Sequence, residues 1–121
     1  MVKGMLRKKP MSTPTRTDDL VEIQQLLAKY AVTITQGDVE GLVSVFTPDG
    51  TYSAFGEIYP LDRFPVLVDA APKGLFMTGT ALVDLDEGAD TASGTQPLCF
   101  IEHSKHDMRI GYYRDNYQRT A

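Results

Sequence analysis

The chain has no tryptophan, one cysteine and two histidines among its 121 residues. The lone Cys99 rules out an internal disulfide and a zinc site built on several thiolates. Such sparing cysteine use suits a reducing, cytoplasmic setting. No run of ~18 consecutive apolar residues occurs, so no helical membrane span is expected. The opening segment "MVKGMLRKKPMSTPTRT" begins with basic residues but lacks the apolar stretch of a secretory signal. There is no phosphate-cradling glycine loop, no nucleophile elbow and no internal repeat.

Acidic residues are missing from one part of the chain only. Residues 1–17 carry five Lys or Arg and no acid; residues 18–121 carry the other seven and all sixteen acids, a balance of −9. Nucleic-acid binding needs clustered positive charge, so an acidic body speaks against that class. The basic stretch, with Pro10 and Pro14 and no apolar period, is expected to be a disordered leader over 1–17, ahead of one domain over 18–121. Met11 is a second possible start of translation.

What is present reads as helices first and strands afterwards. Leu20, Ile23, Leu27, Tyr30 and Ile34 recur at helical spacing behind a cap at Asp18 or Asp19, and Gly37 ends that helix. Asp38 caps a short second helix, and "TPDG" makes a turn. "TYSAFGEIY" is strand material broken by Gly56. "LDRFPVLVDAAP" predicts a third helix, with Asp62 at its cap and Pro65 in its first turn. From Leu75 the period becomes two. "LFMTGTALVDLD", "TASGTQPLCFIEH" and "RIGYYRDNYQRT" predict three long strands, with Pro97 marking a bulge or an edge. Alternation would turn Cys99, Ile101 and His103 to one face and Tyr113 and Asp115 to another inner one. The order predicts an α+β domain: a cone-like, curved antiparallel sheet wrapped around the long first helix, with two shorter helices.

The stretches "IQQLLAKYAVTITQGDVEGLVSVFTPDGTY", "TALVDLDEGADTASG" and "GYYRDNYQRT" resemble the SnoaL-like proteins of the nuclear transport factor 2 superfamily, over residues 18–121. The resemblance implies the cone fold with a pocket at its open end. It also implies one more strand after the "YRDNY" segment, where this sequence stops. Its nearest subgroup uses an Asp–His dyad to take a proton from carbon. Carried over by position, the Asp falls on Thr35 and the His on Leu75, and neither side chain does acid–base work.

Within that frame the expected pocket is lined by Tyr30, Ile34, Tyr52, Leu75, Met77, Ile101, His103 and Tyr113, with His103, Asp115 and Tyr52 as candidates for chemistry. Tyr30, Tyr52, Tyr113 and Asp115 are also the residue types of a ketosteroid-isomerase oxyanion hole, which pairs a Tyr with a protonated carboxyl. His103, His106, Asp107 and Glu102 lie close in sequence but lack a third nitrogen or sulfur ligand beyond Cys99, so no metal is expected. Nor is any cofactor. The expected partners are a small apolar or polycyclic ligand and a second copy of the chain, joined through the sheet. The expected function is binding of that small molecule in an apolar pocket, or a divergent lyase or isomerase reaction on it; the alternative is a non-catalytic dimerisation or scaffold module of the same fold. No nucleic acid or membrane is expected as a partner.

Overall fold

The computed structural model describes residues 15–54 and 56–120. Helix α1 spans Arg16–Gln36. Its cap is Thr15, three or four residues ahead of the expected Asp18 or Asp19. The Thr15 hydroxyl accepts from the Asp18 amide at 3.1 Å and the Asp18 carboxylate accepts from the Thr15 amide at 3.1 Å. This reciprocal box satisfies two amides that the first helical turn leaves open, so Thr15 outcompetes Asp18 as the cap. The expected leader therefore overreaches, because Arg16 and Thr17 are helical. Its first fourteen residues lie outside the described residues.

Gly37 ends α1 in the left-handed conformation (φ 72°), which costs glycine nothing. Asp38 then caps α2, Val39–Val43, by accepting from the Gly41 amide at 3.0 Å. Strands β1, Thr51–Ala54, and β2, Glu57–Pro60, form a hairpin. The third helix begins later than predicted. Leu61–Arg63 is a 3-10 turn that contains Asp62, and α3 proper is Phe64–Ala70, with no side-chain cap at either start. Pro65 sits in its first turn, where its missing N–H costs no helical bond.

The main sheet is centred on β5, Thr91–Glu102. Strand β6, Met108–Gln118, flanks it along nearly its whole length, from Ile101↔Met108 to Thr91↔Gln118. On the other side lie two short strands in tandem, β3 (Gly74–Thr78) and β4 (Leu82–Leu85), where the alternation predicts one long strand. The break falls opposite Pro97. The Pro97 carbonyl accepts from the Gly79 amide at 2.9 Å, so the amide position of Pro97, which carries no hydrogen, faces the same side and cannot continue the ladder. The proline ring also crowds that point. A Cβ on Gly79 would stand 2.8 Å from Pro97 Cγ.

The interruption has a consequence for direction. Thr78 pairs with Leu98 and Leu82 with Thr95, so four steps on one side face three on the other. One extra residue is a bulge, and it exchanges the two faces of the strand. Val83 and Leu85 in β4 turn inward onto Ile23, Leu27 and Tyr117. In β3, by contrast, Leu75 and Met77 turn outward, 42% and 52% exposed, and Phe76 turns inward.

The concave face receives α1. At one end of the helix Ile23 and Leu27 pack with Ala81, Ala92 and Tyr117. At the other, Tyr30 packs with Leu42, Val45, Phe46, Phe64, Val68 and Tyr113. Arg119 ties the first of these ends to the sheet, bonding Asp19 of α1 at 2.7 Å and Asp90 of the β4–β5 turn at 3.1 Å. Among the described residues no helix is long and apolar enough to cross a membrane.

Candidate functional site

The helix and sheet do not fill the cone. A cavity of about 640 Å³ remains between the C-terminal end of α1, strand β1, helix α3 and the inner faces of β3, β5 and β6. Its walls are mainly apolar. Phe64, Leu67 and Val68 come from α3, Phe76 from β3, Leu98 and Phe100 from β5, and Ile34 from α1. The Phe76 and Phe100 rings stack at a tilt, 4.7 Å between centroids. Phe64 leans on Tyr52 at 4.9 Å and on Phe46 at 5.2 Å.

The polar groups are sorted by position. Tyr52 and Tyr113 line the inner end, and the fully buried Tyr30 stands behind them, its ring edge-on to Tyr113 at 5.4 Å. The three phenol hydroxyls interact with one another. Asp115 is the next inner-face residue after Tyr113, is buried, and accepts from the Tyr117 hydroxyl at 3.2 Å. Burial is the main cause that pushes all four phenols above their ordinary value, with Asp115 adding to it in each. These tyrosines therefore stay protonated donors through the neutral range. At the mouth lie Lys73, Arg109 and Arg114. Among the described residues the cavity lining contains no Asp, Glu, His or Cys.

Of the eight expected pocket residues, Ile34, Tyr52 and Tyr113 line this cavity, and Tyr30 supports it from behind. Leu75, Met77 and Ile101 do not line it. They belong to the outer face of the sheet: the bulge opposite Pro97 reverses the phase of Leu75 and Met77, while β5 runs unbroken with Leu98 and Phe100 inward, which turns Ile101 outward by alternation. His103 is not on an inner face either. Strand β5 ends at Glu102, and His103 opens the following turn with its side chain 68% exposed and Nδ1 3.0 Å from the Lys73 carbonyl oxygen. In that turn the Glu102 carboxylate accepts from the Ser104 hydroxyl and from the Ser104 and Lys105 amides. These bonds hold its pKa down to about 2. His106 lies in the same loop with φ 61°. The structure brings Tyr52 and Asp115 to the same end of the cone and leaves His103 apart from them.

Thr35 lines the cavity, and its hydroxyl accepts from the Phe76 amide at 3.0 Å, pinning the end of α1 to β3. Leu75, the other position of the expected dyad, points to the opposite face. Phe76, Leu98, Phe100, Arg109 and Gly111 were not expected in the lining. For Gly111 and Arg109 the signal was present, since Tyr113 and Asp115 as inner-face residues place both on that face by alternation.

A profile described as a SnoaL-like domain matches residues 15–121, and the chain belongs to that family. Its fold is that of the nuclear transport factor 2-like superfamily. Rv3472, a protein of unknown function from Mycobacterium tuberculosis, superposes with a TM-score of 0.72 at 22% identity, over 88% of this chain and 78% of that one. A nuclear transport factor 2-like protein of cystatin-like fold from Novosphingobium aromaticivorans gives 0.64 at 18% identity, over 88% and 92%. A candidate dehydratase of the same family from Streptomyces avermitilis gives 0.66 at 14% identity, over 88% and 100%. No protein of curated function matches the sequence.

Proposed function

We propose that the cavity binds a small, largely apolar molecule whose carbonyl or hydroxyl oxygen meets the phenols of Tyr52 and Tyr113, without an Asp–His proton-abstracting pair. The observation that carries this reading is the convergence of Tyr30, Tyr52 and Tyr113 at the inner end of a mainly apolar, 640 Å³ space. Apolar walls with a few convergent polar groups are the usual form of a small-molecule site. Protonated, desolvated phenols are strong donors to a carbonyl oxygen and polarise it. Among the described residues the lining supplies no carboxylate or imidazole to remove a proton from carbon, so the chemistry it supports is binding with carbonyl polarisation. The dehydratase and polyketide-cyclase descriptions of two structural neighbours accord with an oxygen-bearing carbon skeleton as ligand.

A bicyclic aromatic ketone and the parent hydrocarbon of the same size test this reading. The ketone raises the melting temperature and the hydrocarbon raises it less, because ligand binding stabilises the fold by mass action. Tyr113→Phe weakens the ketone about two- to tenfold, the value of one hydrogen bond, and leaves the hydrocarbon unchanged. Equal shifts for the two compounds in the wild type would count against a role for the phenols.

A second reading concerns the outer face. Register places Leu75, Ile101 and Met108 in one row across three strands and Met77, Cys99 and Ile110 in the next. Ile110 is 85% exposed. An apolar patch continuous over three strands is unusual on a monomer and marks an association surface. We propose that a second copy of the chain covers it, with the two-fold arrangement common to homodimers. Met77→Lys with Ile110→Lys is expected to weaken self-association at least about tenfold while leaving the helical signal intact. Sedimentation of the wild type as a monomer at about tens of micromolar contradicts the pairing.

A further inference from the structure

We infer that the ligand is an anion: a molecule laid along the inner face of β6, with its oxygen at Tyr113 and a carboxylate-type group at Arg109. The inference rests on the cavity being a ligand site and adds the charge and length of what it takes. Arg109, Gly111 and Tyr113 are alternate residues of β6 and share one face, opposite Phe100, Leu98 and Gln96 of β5. Four residues of strand separate the two ends by about 13 Å, the length of a two- or three-ring molecule with a short acidic arm. Gly111 keeps the floor between them bare. A Cβ added there meets nothing within 4 Å, and its φ is not in the left-handed region, so the missing side chain leaves open space and no backbone need accounts for it.

The charge at the far end is singular. The body carries a balance of −9 over residues 18–121, yet the cavity mouth has three cations and, among the described residues, no acid. Lys73 is committed, its ammonium donating to the carbonyls of Val68 at 2.8 Å and Asp69 at 3.4 Å at the end of α3. Arg114 occupies the opposite parity of β6. Arg109 lies on the inner parity, and no described acid pairs with it. A planar guanidinium at the mouth of an apolar slot matches a carboxylate or sulfonate two-pronged.

Two dyes that differ by one anionic group test the inference: 8-anilinonaphthalene-1-sulfonate and the neutral N-phenyl-1-naphthylamine. In the wild type the sulfonate binds about tenfold more tightly than the neutral amine, and the advantage shrinks at about 0.5 M salt. Arg109→Gln abolishes the advantage and leaves the neutral amine's affinity unchanged. Gly111→Leu, which fills the floor without backbone strain, abolishes binding of both. If Gly111→Leu blocks both dyes but the sulfonate holds no advantage, or keeps it in Arg109→Gln, the anion inference fails and the cavity reading stands. If Gly111→Leu affects neither dye, the probes bind elsewhere and both readings fail.

Discussion

Raising the pH is expected to unfold this protein cooperatively between roughly pH 11 and 13. Tyr30, Tyr113 and Tyr117 are buried, and burial raises each phenol above its ordinary value of 10.0. A phenol that holds its proton more tightly in the folded chain contributes stability that is complete below about pH 10. That stability is lost as the pH climbs toward the folded value, because only the unfolded chain releases the proton. Each such group costs about 1.4 kcal/mol per pH unit, so three cost about 4 kcal/mol per unit. The half-buried Tyr52 adds a smaller share. A domain stable by about 5–15 kcal/mol runs out within a few pH units. Phenolate absorbance of the buried tyrosines and loss of helical circular dichroism should therefore rise together. Tyr117→Phe should flatten the dependence of stability on pH by about 1.4 kcal/mol per unit, one proton's worth. Independent ionisation of all the phenols near pH 10, with the helix signal intact, would show that the tyrosines are not held in a dry interior.

Much of the architecture is legible in the residues. The stripe from Ile23 to Tyr30, the left-handed stop at Gly37, the Asp38 cap and the shared inner face of Tyr113 and Asp115 are all local or strictly periodic, and the structure has them. The cavity was legible only in part, and one reason is Pro97. Its effect is not local, because a missing amide hydrogen in β5 interrupts a different strand, and the extra residue that results reverses the facing of Leu75 and Met77 relative to Val83 and Leu85. Alternation read along a single strand carries no information about an interruption imposed by its neighbour. The pairing of Gly79 with Pro97 was the available sign, since a strand glycine and a strand proline brought opposite one another mark a bulge. The outward turn of His103 has a simpler cause: the strand ends one residue before it.

Phe64→Ala is expected to be among the most damaging single changes, costing about 3–5 kcal/mol. Phe64 is 2% exposed and serves two structures at once. One side of its ring meets Phe46 in the core, and another meets Tyr52 at the cavity wall. Truncation removes the buried ring from both and joins the vacated space to the existing 640 Å³. In a domain of this size about 1 kcal/mol moves the melting temperature by about 4–8 °C, so a fall of roughly 12–40 °C follows. The cavity itself supplies the control. Phe76 also stacks on a neighbouring ring, at 4.7 Å from Phe100, but is only half-buried and already faces the open space. Phe76→Ala therefore removes less surface from water-free packing and should cost about 1–2 kcal/mol. Melting curves of the two variants decide the matter. Equal losses, or a greater loss at Phe76, would mean that the wall of the cavity, and not the cluster behind it, holds the helices to the sheet.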